Sequence, residues 1–171
     1  MFLMSGSEEK ARERGITPRP PQEGDLLLAC CDTLLAAQNA VIAAESMGIG
    51  SCYIGDILEQ YETHRQLLDL PQYVIPLTLV CFGRPAVAKE EKRLTPRYDA
   101  QFIVSRNRYH RLTRPQVEEM MQPAVEKAFP GESHAGHVDE LIQRVYLRKF
   151  VSDFSVEMTR SVREMLKNWQ K

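Results

Sequence analysis

Three groupings of residues have types that could do chemistry. His134 and His137 stand three apart with Asp139 just beyond, and imidazoles at that spacing can face the same way on a helix and share a metal ion. No cysteine or third histidine closes a ligand set there, and Gly-Glu-Ser-His-Ala-Gly-His reads as the solvated start of a helix. Arg106, Arg108, Arg111 and Arg114, with Tyr109 among them, have the basic and aromatic interleaving of a single-stranded RNA surface. The chain as a whole is near neutral and Glu118 and Glu119 follow, so this stretch is assigned to pairing with a partner surface of the same protein. The four cysteines, Cys30, Cys31, Cys52 and Cys81, sit in apolar contexts without a C-x-x-C spacing. Buried, reduced thiols in a cytoplasm are the expectation, and core packing in a helix is the preferred reading of the adjacent Cys30 and Cys31 over a redox pair. No Ser/His/Asp pattern is present. Gly48-Ile-Gly-Ser51 follows a helical run, whereas a phosphate-cradling loop has a strand before it and a helix after it.

Composition narrows the classes further. A chain of 171 residues, 43% apolar and 26% charged, holds one globular unit with an appendage. Its 22 basic and 23 acidic residues leave a formal charge of −1, which gathers neither nucleic acid nor anionic membrane. The uncharged run from Thr33 to Ala44 is about 12 residues, against the roughly 18 to 20 that cross a bilayer. A soluble protein with no membrane or nucleic-acid partner is expected. Met1 to Met4 is too brief for the apolar core of a signal peptide.

The elements that must position any site follow from the breakers. Residues 15–24, GITPRPPQEG, carry three prolines and two glycines and form a loop after the charged segment Ser7 to Arg14. Asp25 to Met47 is Ala- and Leu-rich and far longer than a strand, hence a helix. Asp25, Asp32, Asn39 and Ser46 recur every seven residues, with Gln38 and Glu45 beside two of them, and form one narrow polar stripe. The rest of that helix must be covered by its own domain or by a second subunit. Gly48 ends it, and an extended segment follows between Gly50 and Gly55. Asp56 then caps a second helix with apolar residues from Ile57 to Leu70, and Pro71 lies beyond it. Val74 to Phe82 is a buried strand whose start, at Pro76, lies at an edge or bulge. After a basic segment from Lys89 to Asp99, Phe102 to Val104 adds a short strand or arm. Gln116 to Phe129 and about His137 to Trp169 are helical blocks separated by Pro130-Gly131.

The run AAQNAVIAAESMGIGSCYIGD (Ala36 to Asp56), then HRQLLDLPQYVIPLTLVCFGRP (His64 to Pro85) and KRLTPRYD (Lys92 to Asp99), resembles the C-terminal half of the flavin-dependent nitroreductase family. The tail from Tyr146 to Trp169 resembles the helical extension of some members. The fold implied is α+β: a partial nitroreductase-like fold with a long central helix, a small sheet and a C-terminal helical extension. Residues 1–113 would be the family's C-terminal half and 114–171 the extension. Family members open with roughly a hundred further residues, including an arginine segment for the flavin phosphate, and the expectation is that this N-terminal half is absent.

The resemblance also implies chemistry carried by FMN, which takes hydride from NAD(P)H and passes electrons to a nitroaromatic or quinone-like acceptor. By position, Tyr53, Ile54 and Gly55 would line the isoalloxazine, with the backbone N–H near Gly55 aimed at ring nitrogen N5. Arg93 corresponds to the family's phosphate-binding basic position, with Lys92 or Arg97 as substitutes. The family's flavin lies at a two-fold interface, so a cytoplasmic homodimer is implied, with the arm from Phe102 to Tyr109 wrapping the neighbour. No catalytic side chain and no metal are expected. The alternative function is a truncated, non-catalytic member acting as a dimerising or interaction protein.

Overall fold

A computed structural model describes residues 7–86, 97–132 and 136–170. A short helix, α1 (Ser7–Glu13), precedes the proline-rich loop, and the long helix α2 (Glu23–Ser46) follows it. The start of α2 is fixed locally. Asp25 accepts a hydrogen bond from the Gln22 N–H at 2.9 Å, completing a capping box, and Arg19 reaches the same carboxylate at 2.5 and 3.0 Å. At the other end Gly48 takes φ +74°, the left-handed conformation that terminates helices.

Strand β1 (Gly50–Ile54) pairs antiparallel with β2 (Leu79–Gly83), in the register Gly50 opposite Gly83 through Ile54 opposite Leu79. The expected strand from Val74 is therefore shortened: Val74 to Thr78 lies outside it, because Pro76 has no N–H to give to a ladder. β2 is also largely exposed, not buried. The helix expected from Asp56 to Leu70 is broken into a single tight turn, Asp56–Leu58, and α3 (Tyr61–Leu67). Gln60 between them has φ +45°, and its N–H leaves the helical ladder to donate to Glu157 at 3.0 Å.

Two compact units divide the chain, Met1–Ala86 with Asp153–Lys171, and Val87–Ser152. In the first, α7 (Asp153–Leu166) packs on α3 and on the Asp56–Leu58 turn that follows β1. Met165 and Trp169 are buried there, and the Trp169 ring meets Tyr73 edge-on at 5.4 Å. In the second, Asp99 caps α4 (Ala100–Ile103) by accepting from the Gln101 N–H, so Phe102 to Val104 is helical at its start where a short strand or arm was expected. Thr113 and Gln116 form the capping box of α5 (Arg114–Ala128). Met121 and Val125 of α5 pack against Val138 of α6 (His137–Tyr146) to make the core of this unit. The single block expected from His137 to Trp169 is interrupted after α6 by a wide helical turn, Leu147–Val151, and by extended backbone at Ser152.

Within this chain α2 stays open. Leu27 and Leu28 are 67% and 68% exposed, and only Leu26 and Ala44 are buried. By length and composition alone α2 is also long and apolar enough to cross a membrane, so the short uncharged run did not exclude that reading. The cysteines follow the same geometry and correct the expectation of buried thiols. Cys31, Cys52 and Cys81 are exposed and only Cys30 is half-buried, because α2 and the hairpin are covered on part of their surfaces only.

Candidate functional site

The last residues of β1 deliver the candidate positions. Ile54 is half-buried and paired with Leu79, which fixes the strand end. Tyr53, 40% exposed, donates its hydroxyl hydrogen to Gln38 Oε1 of α2 at 3.3 Å. Gly55 has φ −81° and ψ −20°, a conformation open to any residue. A side-chain carbon added there would meet only the Phe154 ring edge, at 3.9 Å, an ordinary contact. The chain's own packing thus leaves room beside Gly55, as the close approach of a planar ligand to backbone requires. The Gly55 carbonyl is occupied, accepting from the Leu58 N–H at 3.0 Å. These features fit the ring end of a flavin. Sequence reasoning did not assign Gln38 or Phe154 to the site. Gln38 had a signal in the seven-residue polar stripe, whereas Phe154 had none, being a hundred positions away in sequence.

A polar clamp from α7 holds this corner. Glu157 Oε1 accepts from the Gln60 N–H at 3.0 Å and from the Ser161 hydroxyl at 2.9 Å. Ser161, 0% exposed, accepts in turn from the Tyr61 N–H at 3.0 Å, so two of the backbone donors freed at the α3 entry, those of Gln60 and Tyr61, are satisfied by α7 side chains. Arg160 donates two hydrogen bonds to Glu62, at 2.9 and 2.8 Å, and further ones to Glu157. The Arg160 hydrogen bonds hold both carboxyls well below their ordinary range, each to about 2, with Ser161 and the Gln60 N–H adding to the effect at Glu157.

The expected phosphate contacts lie largely outside the described residues. Arg93 and its substitute Lys92 lie outside the described residues, while Arg97 is described and is already engaged by a partner. The other candidates resolve into structural pairs. His137 stacks on Phe129 at 4.1 Å with Nε2 3.1 Å from Glu132 and Nδ1 3.3 Å from Glu140, so both ring nitrogens are taken up by neighbouring carboxyl groups. His134 lies outside the described residues, and no three His, Cys, Asp or Glu among the described ones could hold a metal ion. Arg114, expected to face a partner, binds Glu118 and Asp139 of its own unit at 2.6 and 2.8 Å.

Comparison with known proteins matches residues 2–84 to the model of the Nitroreductase family. The oxygen-insensitive NADPH nitroreductase of Salmonella typhimurium is 44% identical over 87 residues, covering 51% of this chain and 35% of that protein. The FMN reductase (NADPH) of Bacillus subtilis is 39% identical over 84 residues, covering 49% of this chain and 32% of that protein. The chain therefore spans about a third of the length of these curated relatives. A putative oxidoreductase from Bacteroides fragilis shares the fold, with a TM-score of 0.70 and 22% identity over 98% of this chain and 68% of that one. Helix α2 and the β1 positions Tyr53 and Ile54 with Gly55 lie inside the matched segment, so the apolar helix is a family element rather than an added one. The match over residues 2–84, just under half of the chain, identifies that segment as nitroreductase-family sequence.

Proposed function

We propose that the chain is the C-terminal part of an FMN-dependent NAD(P)H oxidoreductase that works as a cytoplasmic homodimer on nitroaromatic or quinone-like acceptors. The carrying observation is the end of β1, where Gly55 follows Ile54 with open space beside it; the resemblance assigns Tyr53, Ile54 and Gly55 to the flavin ring. FMN, when bound, would supply the redox chemistry between NAD(P)H and the acceptor. The chain's residues position. Gly55 lets the backbone approach the ring, Tyr53 is steadied by Gln38, and Arg93 neutralises the phosphate.

FMN titration into the purified chain tests this reading. Uptake of about one FMN per chain, with flavin absorbance and NAD(P)H oxidation, supports it, whereas a colourless chain that takes up no FMN supports the non-catalytic alternative. Within a flavin-binding chain, Arg93→Ala should weaken FMN by roughly ten- to a hundredfold, the worth of one charge-assisted hydrogen bond, and leave riboflavin binding almost unchanged. Equal losses for both ligands would place Arg93 at the ring or in folding.

A further inference from the structure

The two strands place two cysteines face to face. Cys52 of β1 is the register partner of Cys81 of β2, and both are exposed and reduced. Directly opposed residues of an antiparallel pair project their side chains from the same face of the sheet. Their Cα atoms lie about 4.5 or 5.5 Å apart, depending on which kind of pair they form, and both separations fall within the roughly 4.4 to 6.8 Å that a disulfide spans. The other pair is poorly placed. Cys30 and Cys31 are successive residues inside α2, where neighbouring side chains diverge by about 100° around the axis, and Cys30 is half-buried.

We propose that Cys52 and Cys81 form a dithiol modification site that closes into an intrachain disulfide on reaction with a low-molecular-weight disulfide. The thiolate of one cysteine attacks the small disulfide, forming a mixed disulfide and releasing one small thiolate. The second cysteine thiolate then attacks the protein-side sulfur of that bond and expels the other small thiolate. Two protein thiols are oxidised and one small disulfide is reduced to two thiols. Their protons pass to the departing thiolates. The bond ties β1 to β2 one residue before Tyr53, which pairs with Val80, and so pins the register at the strand end. This proposal stands on the hairpin alone and is independent of flavin binding.

The test is peptide mapping of the full wild-type chain after incubation with oxidised glutathione and alkylation of remaining thiols. Cyanogen bromide cleavage after Met47 separates Cys52 from Cys30 and Cys31, and trypsin then cuts at Arg65 and leaves Cys52 and Cys81 on different peptides. The expected result is a linked pair of peptides, 48–65 with 66–89 because trypsin does not cut the Arg84–Pro85 bond, from a chain that runs as a monomer on a non-reducing denaturing gel and reverts with dithiothreitol. Cys52→Ser should abolish the link and leave Cys81 carrying glutathione. Alkylation of both Cys52 and Cys81 after treatment would overturn the proposal. So would stable glutathione capping of both in the wild-type chain, or linkage of Cys52 to any other cysteine or to a second chain.

Discussion

Gly55 separates ligand binding from folding at the level of a single residue. Its φ of −81° is one alanine adopts freely, and the nearest atom to an added carbon is 3.9 Å away. Gly55→Ala should therefore stabilise the free chain by about 0.4 to 1 kcal/mol, through the lost freedom of the unfolded state. If the flavin ring lies against this backbone, the same substitution should weaken FMN by roughly tenfold, the equivalent of one disturbed hydrogen bond. Urea denaturation and FMN titration on the same variant measure the two effects, and unchanged FMN affinity would move the ring away from Gly55. In sequence, the glycines flanking residues 51–54 marked this place, and the register of β1 and β2 agrees with the extended segment they enclose. Phe154 was invisible from sequence, because nothing local says which distant ring will border a strand end.

At the scale of elements, the contact between α3 and α7 depends on two carboxylates and one buried hydroxyl. Ser161→Ala would leave the Tyr61 N–H without its acceptor in a buried place, a loss of about 1 to 3 kcal/mol measurable by denaturant titration. Met165, 1% exposed on the same helix, should cost about 2 to 5 kcal/mol when cut to alanine, since the cavity adds to the lost transfer energy. The clamp also sets a pH dependence. Glu62 and Glu157 have folded-state values near 2, below their ordinary 4.5. Their contribution is therefore complete above about pH 5 and is lost as pH falls from there towards 2. Thermal midpoints measured across that range should fall more steeply for the wild type than for Glu157→Gln, and parallel curves would show that the clamp does not stabilise the fold. The break at Gln60 that creates this clamp could not be read from the apolar spacing of Ile57 to Leu70, which fits one helix as well as two short turns.

For the whole molecule the open face of α2 dominates. Leu28 and Leu35 lie seven residues apart on one helix stripe, and both are exposed. If the proposed homodimer covers that stripe, sedimentation of the chain at micromolar concentration should show a species heavier than 19.6 kDa. Leu28→Glu with Leu35→Glu should then shift it to the monomer mass. A stable, cooperatively folding monomer in the unmodified chain would remove the homodimer from the proposal.

Helix α2, its start near Asp25, its end at Gly48 and the extended segment before Gly55 were legible in the sequence, because each is specified by residues within a few positions of one another. Capping boxes, glycine conformations and helix propensity act over one or two turns. The length of β2, the break in the second helix, the exposure of the cysteines and the return of α7 to the unit of residues 1–86 were decided only by tertiary structure. Each depends on a partner far along the chain: Glu157 for the Gln60 N–H, β1 for the residues of β2, and the extent of cover for each thiol. Local patterns state what an element can bury or donate, and only the folded chain determines which distant group receives it.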